Sequence, residues 1–152
     1  MEELKIKTAI QIGKPAEDVF EAIVDPGKMK NYFIAEGSGR MEEGKKLQWR
    51  FPEFNEQVDV QVVQVEPKEY ISFQWEGAKG RKLLVEMTLL EMPDNSTLLK
   101  ITEGTMPAKE EGIKWLAQNT EGWANFLASL KAYLEYDINL RKGAFDFLKQ
   151  GG

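Results

Sequence analysis

Residues 110–140 of the chain read EEGIKWLAQNTEGWANFLASLKAYLEYDINL, and their apolar residues recur at the spacing of an amphipathic α-helix. At about 1.5 Å per residue, an unbroken helix over this range would be about 45 Å long. Because a domain of this size has a radius of gyration of only about 15 Å, the helix would cross the whole molecule. Its apolar stripe is rich in aromatic residues and comprises Trp115, Leu116, Trp123, Phe126, Leu127, Leu130, Tyr133 and Leu134. We expect the rest of the chain to fold into a surface that covers this stripe.

The preceding residues alternate between apolar and polar side chains, which predicts a series of β-strands. The alternating segments are 4–12, 47–51, 58–65, 71–75, 83–89 and 97–104, with a further extended segment over 33–41. The alternation slips by one residue after Val62, which predicts a β-bulge there. Two short helices are predicted between the first strand and the others, one before Asp25 and one at about residues 27–32. The predicted fold class is α+β: a curved antiparallel sheet of about seven strands, with the long C-terminal helix packed across it.

Composition is that of an ordinary globular domain. The 152 residues predict a single domain over 1–152, with a tail at about 141–152 that is either flexible or docked. The formal charge of −5 argues against nucleic acid and anionic membranes as partners, because both require basic surfaces. The first residues lack the apolar core of a signal peptide, and no segment is long enough for membrane insertion. We therefore expect a cytoplasmic protein.

The residue types that are missing limit the possible chemistry. The chain contains no cysteine and no histidine, which excludes disulfides, thiol nucleophiles, histidine-based triads and ordinary zinc sites. Carboxylate acid/base chemistry, lysine, tyrosine or a hard cation bound by oxygen remain available. The sequence shows no converging set of metal ligands, so we predict no metal, no cofactor and no catalytic residue.

Three segments carry a resemblance to a known superfamily. They are IQIGKPAEDVFEAIVDP at 10–26, FQW at 73–75 and GWANFLASLKAYLE at 122–135. They resemble the START-related (SRPBCC) superfamily and, within it, the branch named after the C-terminal domain of the activator of the heat-shock-protein-90 ATPase. The resemblance covers nearly the whole chain. It implies the helix-grip fold, which is also that of the major birch pollen allergen.

The resemblance leaves the function open. The superfamily includes lipid carriers, polyketide cyclases, stress-response proteins and co-chaperone domains, and it has no shared catalytic motif to carry over. Three hypotheses follow: binding of a small apolar or amphipathic ligand, binding of a chaperone as a protein-interaction module, and cyclase-like or hydrolase-like catalysis. The oligomeric state is not indicated by the sequence.

Candidate ligand-binding residues are those whose side chains point between the sheet and the long helix. Irregular packing of large rings against a curved sheet favours a ligand cavity, although each ring also has an interpretation as simple core. The flexible Met87 would suit such a wall. The predicted set is Trp49, Phe73, Trp75, Met87, Glu103, Asn119, Trp123, Phe126, Leu127 and Leu130.

Three polar residues within these apolar patterns have two interpretations each. Glu103 continues the inward series of Leu99 and Ile101, so it is either a carboxylate facing the cavity or a solvated strand end. Asn119 either anchors a polar ligand head or marks a break in the helix before Thr120. Asp137 is either a true polar member of the stripe or an end effect, in which the side chain points along the stripe yet reaches water near the helix end. The acid/base option would pair Glu103 with a tyrosine such as Tyr133, in a site dry enough to retune the carboxyl group.

Overall fold

The computed structural model describes residues 2–151 as one seven-stranded antiparallel sheet with helices packed against it. The strands are β1 (Glu3–Ile12), β2 (Glu36–Gly37), β3 (Lys46–Arg50), β4 (Gln57–Glu66), β5 (Tyr70–Ala78), β6 (Arg81–Glu91) and β7 (Thr97–Pro107). The helices are α1 (Ala16–Val24), α2 (Pro26–Met29) and α3 (Glu110–Tyr136), followed by a 3₁₀ helix over Asp146–Gly151. The predicted α+β helix-grip fold is confirmed.

Strands β2 to β7 form a meander, and the first strand, β1, pairs with the last strand, β7. The order of the sheet is β1-β7-β6-β5-β4-β3-β2, and β1 pairs with β7 from Glu3 opposite Pro107 to Ile12 opposite Thr97. The predicted bulge is present, because the β4–β5 register shifts between Val62 and Gln64. A second irregularity, between Trp75 and Ala78 in the β5–β6 pair, was not predicted. It lies beside the candidate site.

Helix α3 packs its aromatic stripe onto the sheet. Its buried residues include Trp115, Trp123, Phe126, Leu127 and Leu130, and they join one continuous core with apolar side chains from the strands and from α1. Tyr32, after α2, is buried and donates its hydroxyl to Ala22 O at 2.7 Å. Burial raises the pKa of Tyr32 well above its ordinary value, with a smaller contribution from Tyr133.

The long helix is shorter than predicted. It ends at Tyr136 rather than Leu140, because Asp137 takes a left-handed conformation with φ 54°. The N–H of Asp137 donates to Tyr133 O, four residues back, and the N–H of Ile138 donates to Ala132 O. The bond from the left-handed residue to the carbonyl four residues back is the αL pattern of a helix end. An aspartate tolerates this conformation better than most residues. The second short helix also differs slightly, since it covers Pro26–Met29 instead of residues 27–32.

Candidate functional site

Glu103 is a completely buried carboxylate in strand β7. Its side chain points toward α3 as part of the inward-facing series with Leu99 and Ile101, and its exposed fraction is 0%. The interpretation of Glu103 as a solvated strand end is therefore wrong. A buried carboxylate needs hydrogen-bond donors to replace the water it has lost, so the groups around it define the site.

Three neutral donors surround the Glu103 carboxylate. Trp75 Nε1 donates to Oε2 at 2.6 Å, and Asn119 Nδ2 donates to Oε1 at 2.9 Å. Trp123 Nε1 also points at Oε1, at 3.3 Å. By contrast, the buried Trp49 Nε1 and Trp115 Nε1 have no hydrogen-bond partner among the described residues. Glu103 thus fixes two indole rings and one amide, which come from a strand and from the long helix.

Asn119 links this cluster to strand β5. Its second amide hydrogen is donated to Gly77 O at 2.8 Å, so the side chain connects helix and sheet. Helix α3 is continuous through Asn119, and the interpretation of this residue as a helix break is wrong. Asp137, the other polar residue in the stripe, is exposed at the helix end.

The irregularity in β5 brings backbone close to the Glu103 carboxylate. A Cβ atom on Gly77 would lie 2.3 Å from Glu103 Oε2 and 3.0 Å from Leu83 Cδ1. Only glycine fits this close approach without displacing its neighbours. Strand β5 continues past Trp75 to Ala78, so that Gly77 is part of the strand and only Lys79 and Gly80 form the tight turn.

We call Glu103, Trp75, Asn119 and Trp123 the Glu103 cluster. An aromatic cleft of about 510 Å³ lies next to it. Three members of the cluster line the cleft, and Glu103 lies behind them, shielded from solvent. The other walls come from the segment after α2, the segment after β3, the exposed side of α3 and the tail. The lining residues are Phe33, Phe51, Phe54, Trp75, Gln118, Asn119, Gly122, Trp123, Arg141 and Leu148.

Arg141 attaches the C-terminal tail to the rim of the cleft. Its Nη2 donates to Glu53 Oε1 at 2.6 Å, and the Glu53 side chain is only 2% exposed. The guanidinium carbon lies 5.5 Å from the Phe51 ring centroid and 5.9 Å from that of Phe33, within the range of a cation–π contact. Arg141 is the single charged residue among those that line the cleft, and its charge is compensated by Glu53.

The ten residues predicted from sequence occupy three kinds of position. Trp75, Asn119 and Trp123 line the cleft, and Glu103 holds them from behind. The other six are buried in the packed core and do not line the cleft. They are Trp49, Phe73, Met87, Phe126, Leu127 and Leu130, each at most 2% exposed.

Sequence reasoning missed much of the cleft wall. Phe51 belongs to an alternating strand segment, but nothing in that pattern shows that its ring faces the same space as α3. Arg141 and Leu148 follow the helix in a tail without periodicity. Gly122 could have been identified from the sequence. A glycine in the middle of a helix weakens the helix, so its presence often has a packing or functional reason.

Glu103 and Tyr133, which the sequence suggested as an acid/base pair, do not lie close together in the structure. Asn119, which contacts Glu103, precedes Tyr133 by fourteen residues in the same helix, a separation of about 21 Å along its axis. The Tyr133 ring instead stacks on Tyr32, with 5.8 Å between ring centroids. All three hydrogen bonds to Glu103 come from protein groups. The arrangement suits rigid positioning of the indole and amide groups.

Within residues 2–151, carboxylates do not gather in groups of three that could hold a metal ion. The helices in the same range are too short or too polar to cross a membrane.

A family model described as "Activator of Hsp90 ATPase homolog 1-like protein" matches residues 14–135 of the chain. The match covers α1, α2, all strands after β1 and nearly all of α3. No curated protein sequence matched the chain.

Several solved structures share the fold. Protein SSP2350 from Staphylococcus saprophyticus is 30% identical, with a TM-score of 0.79 over 91% of this chain and 96% of that chain. The Aha1 dimer from Colwellia psychrerythraea is 22% identical, with a TM-score of 0.73 over 88% of this chain and 97% of that chain. PFC0360w, an HSP90 activator from Plasmodium falciparum, is 18% identical, with a TM-score of 0.69 over 86% and 96%. At these last two identities the similarity establishes the fold alone.

Proposed function

We propose that this chain, which belongs to the Activator of Hsp90 ATPase homolog 1-like family, binds a small apolar or amphipathic molecule in the cleft between sheet, α3 and tail. The observation that carries the proposal is the composition of the cleft wall. Five aromatic rings line a space of about 510 Å³, those of Phe33, Phe51, Phe54, Trp75 and Trp123. A concave, mainly apolar site with a few polar groups is typical of small-molecule binding.

The charges around the cleft support an uncharged or weakly polar ligand. Arg141 is paired with Glu53, and the Glu103 carboxylate is occupied by three protein donors. A ligand in this cleft would therefore gain its affinity mainly from burial of apolar surface, at about 25 cal/mol per Å² before the costs of association are subtracted.

Gly122 offers a direct test of the site. A Cβ at Gly122 has no neighbouring atom within 4 Å, and the residue lines the cleft, so the side chain of Gly122→Phe would begin in open space at the cleft wall and reduce the room for a ligand. Ala124 is exposed on the same helix, but is not among the cleft-lining residues, which makes Ala124→Phe a matched control.

The binding experiment is a fluorescence titration with Nile red, together with native mass spectrometry of the purified protein. We expect saturable binding of the dye to the wild type and to Ala124→Phe, and at least tenfold weaker binding to Gly122→Phe, because the added ring occupies the cleft. Wild-type protein that shows no saturable dye binding and no bound mass would overturn the proposal. Equal dye affinity of all three proteins would exclude this cleft as the site.

A second candidate function is binding to a chaperone ATPase of the Hsp90 class, which the description of the matching family favours. The chain also exposes several large apolar side chains around the end of α3 and in the tail: Tyr136, Ile138, Leu140 and Phe147. If this candidate is correct, the purified chain would raise the ATPase rate of the chaperone from the same organism. An unchanged rate, with no complex on gel filtration, would remove it.

A further inference from the structure

We infer that the ligand of the aromatic cleft carries a hydroxyl or N–H group, which donates a hydrogen bond to Asn119 Oδ1. This inference rests on the proposed function, since it names the chemical class of the molecule that binds there. It follows from the way in which the Asn119 amide is held by its neighbours.

The orientation of the Asn119 amide is fixed by two acceptors. A side-chain amide has two N–H donors and one oxygen. One N–H is donated to Gly77 O at 2.8 Å and the other to Glu103 Oε1 at 2.9 Å. A backbone carbonyl can only accept a hydrogen bond, so the contact with Gly77 O alone requires the nitrogen on this side. Turning the amide over would place its oxygen against both of these acceptors, so the nitrogen must face the Glu103 cluster.

The amide oxygen is left available by this arrangement. No group within the described residues donates a hydrogen bond to Asn119 Oδ1. The oxygen is also absent from the completely buried side-chain atoms without partners, which are Thr8 Oγ1, Trp49 Nε1, Trp115 Nε1 and Arg141 Nε. Asn119 Oδ1 therefore keeps accessible surface. The Asn119 side chain borders the cleft and also a neighbouring pocket on the side of Gly77 and Trp115.

The available acceptor is fixed in place before a ligand arrives. Glu103, Gly77 and the rigid helix backbone determine where Asn119 Oδ1 lies, so little side-chain entropy would be lost when a donor binds to it. An amphipathic molecule with a flat apolar body could pack between the aromatic rings while its hydroxyl or N–H reaches this oxygen. A molecule of the same shape without a donor would leave the oxygen desolvated and unpaired.

The test compares two probes with the same ring system by calorimetric titration of the full chain: 2-naphthol has a hydroxyl donor, and 2-methoxynaphthalene has a methyl ether in its place. One hydrogen bond of ordinary strength predicts that the wild type binds 2-naphthol roughly five- to tenfold more tightly. The variant Asn119→Leu should lose this preference. The control Asn31→Leu makes the same substitution at an exposed amide that does not line the cleft, and it should keep the preference.

A second measurement covers the case in which Asn119→Leu does not fold. In the wild type, 2-naphthol should shift the side-chain amide signals of Asn119 in a ¹H–¹⁵N spectrum, and 2-methoxynaphthalene should shift them much less. Equal affinity for the two probes, or equal shifts of the Asn119 signals, would overturn this inference and leave the proposed binding function standing. Failure of both probes to bind to a protein that still binds Nile red would overturn this inference alone, and a protein that binds neither the probes nor Nile red and carries no bound mass would overturn both.

Discussion

Glu103 illustrates how one buried acid can organise a site through hydrogen bonds to its neighbours. Its two oxygens accept three hydrogen bonds from Trp75, Asn119 and Trp123. Each donor would lose its partner if the carboxylate were replaced by an apolar group. Leaving a buried donor without a partner costs more free energy than an average hydrogen bond contributes. Disrupting the cluster is therefore strongly unfavourable.

The substitution Glu103→Gln tests this role. Glutamine has the same shape, but one oxygen becomes an NH₂ group, and in either orientation that group faces at least one of the three donors. We expect the free energy of unfolding to fall by about 1–3 kcal/mol, measured by urea denaturation at neutral pH. Glu91→Gln, at an exposed strand end, should change it by less than about 0.5 kcal/mol. Equal stability of the two variants would contradict the role of Glu103.

Sequence predicted the direction of Glu103 but not its environment. The alternation with Leu99 and Ile101 places the side chain on the inner face of β7. Its burial depends on donors from Trp75 and from two residues of α3, and no local pattern shows that these groups meet. Asn119 was recognisable as a polar residue inside an apolar stripe, whereas its partners became visible only in the folded chain.

At the scale of the element, two glycines in α3 have opposite roles. A Cβ on Gly112 would lie 2.0 Å from Pro107 O, whereas a Cβ on Gly122 would meet no atom within 4 Å. Gly112 therefore allows close packing at the helix start, and Gly122 leaves space at the cleft.

These contacts predict changes of opposite sign. Gly122→Ala should stabilise the protein by about 0.5–1 kcal/mol through better helix propensity. Gly112→Ala should destabilise it by about 1–3 kcal/mol, because the backbone near Pro107 must move. Thermal and urea unfolding of both variants would measure the difference. A stabilising Gly112→Ala would contradict the close approach.

Glu135 attaches the C-terminal part of α3 to the end of β1. Gly13 N–H donates to Glu135 Oε2 at 2.9 Å, and Lys131 pairs with the same oxygen while donating to Gln11 O at 2.8 Å. The hydrogen bond from Gly13, followed by that from Lys131, lowers the pKa of the Glu135 carboxyl below its ordinary value.

The lowered pKa of Glu135 predicts a pH-dependent contribution to stability. A carboxyl that is more acidic in the folded state stabilises the fold above its unfolded pKa of 4.5, and this contribution is lost as the pH falls through the folded value. Glu135→Gln should therefore be less stable than wild type by up to about 1 kcal/mol at pH 7. The difference should shrink as the pH is lowered below 4.5. A difference that stayed constant in urea titrations at both pH values would contradict the electrostatic part of this attachment.

The helix itself was largely predictable, because its apolar spacing extends over many turns. Its end was not, since Ile138 and Leu140 continue the apolar spacing beyond Tyr136. Both are about half exposed in the structure. The left-handed Asp137 that ends the helix has no glycine signal in the sequence.

For the whole molecule, the alternation of apolar and polar residues in the strands and the apolar spacing of the long helix were sufficient to predict the fold. Each strand and helix has its own regular spacing of apolar residues. The cleft depends on segments that are far apart in the chain, around residues 33, 51–54, 75, 118–123 and 141–148. A period within one element indicates which side chains point inward. It does not show whether facing rings touch, as Trp49 and Phe73 do with centroids 5.4 Å apart, or leave space for a ligand.

The most direct test of ligand binding in this cleft uses the chain's four tryptophans as site-specific reporters. Trp75 and Trp123 line the cleft, whereas Trp115 lies elsewhere on α3. In a ¹H–¹⁵N titration with 2-naphthol, we expect saturable shifts of the Trp75 and Trp123 indole signals, with the Trp115 signal unchanged. A probe that binds while shifting Trp115 alone, or that shifts none of the indole signals, would contradict ligand binding in this cleft.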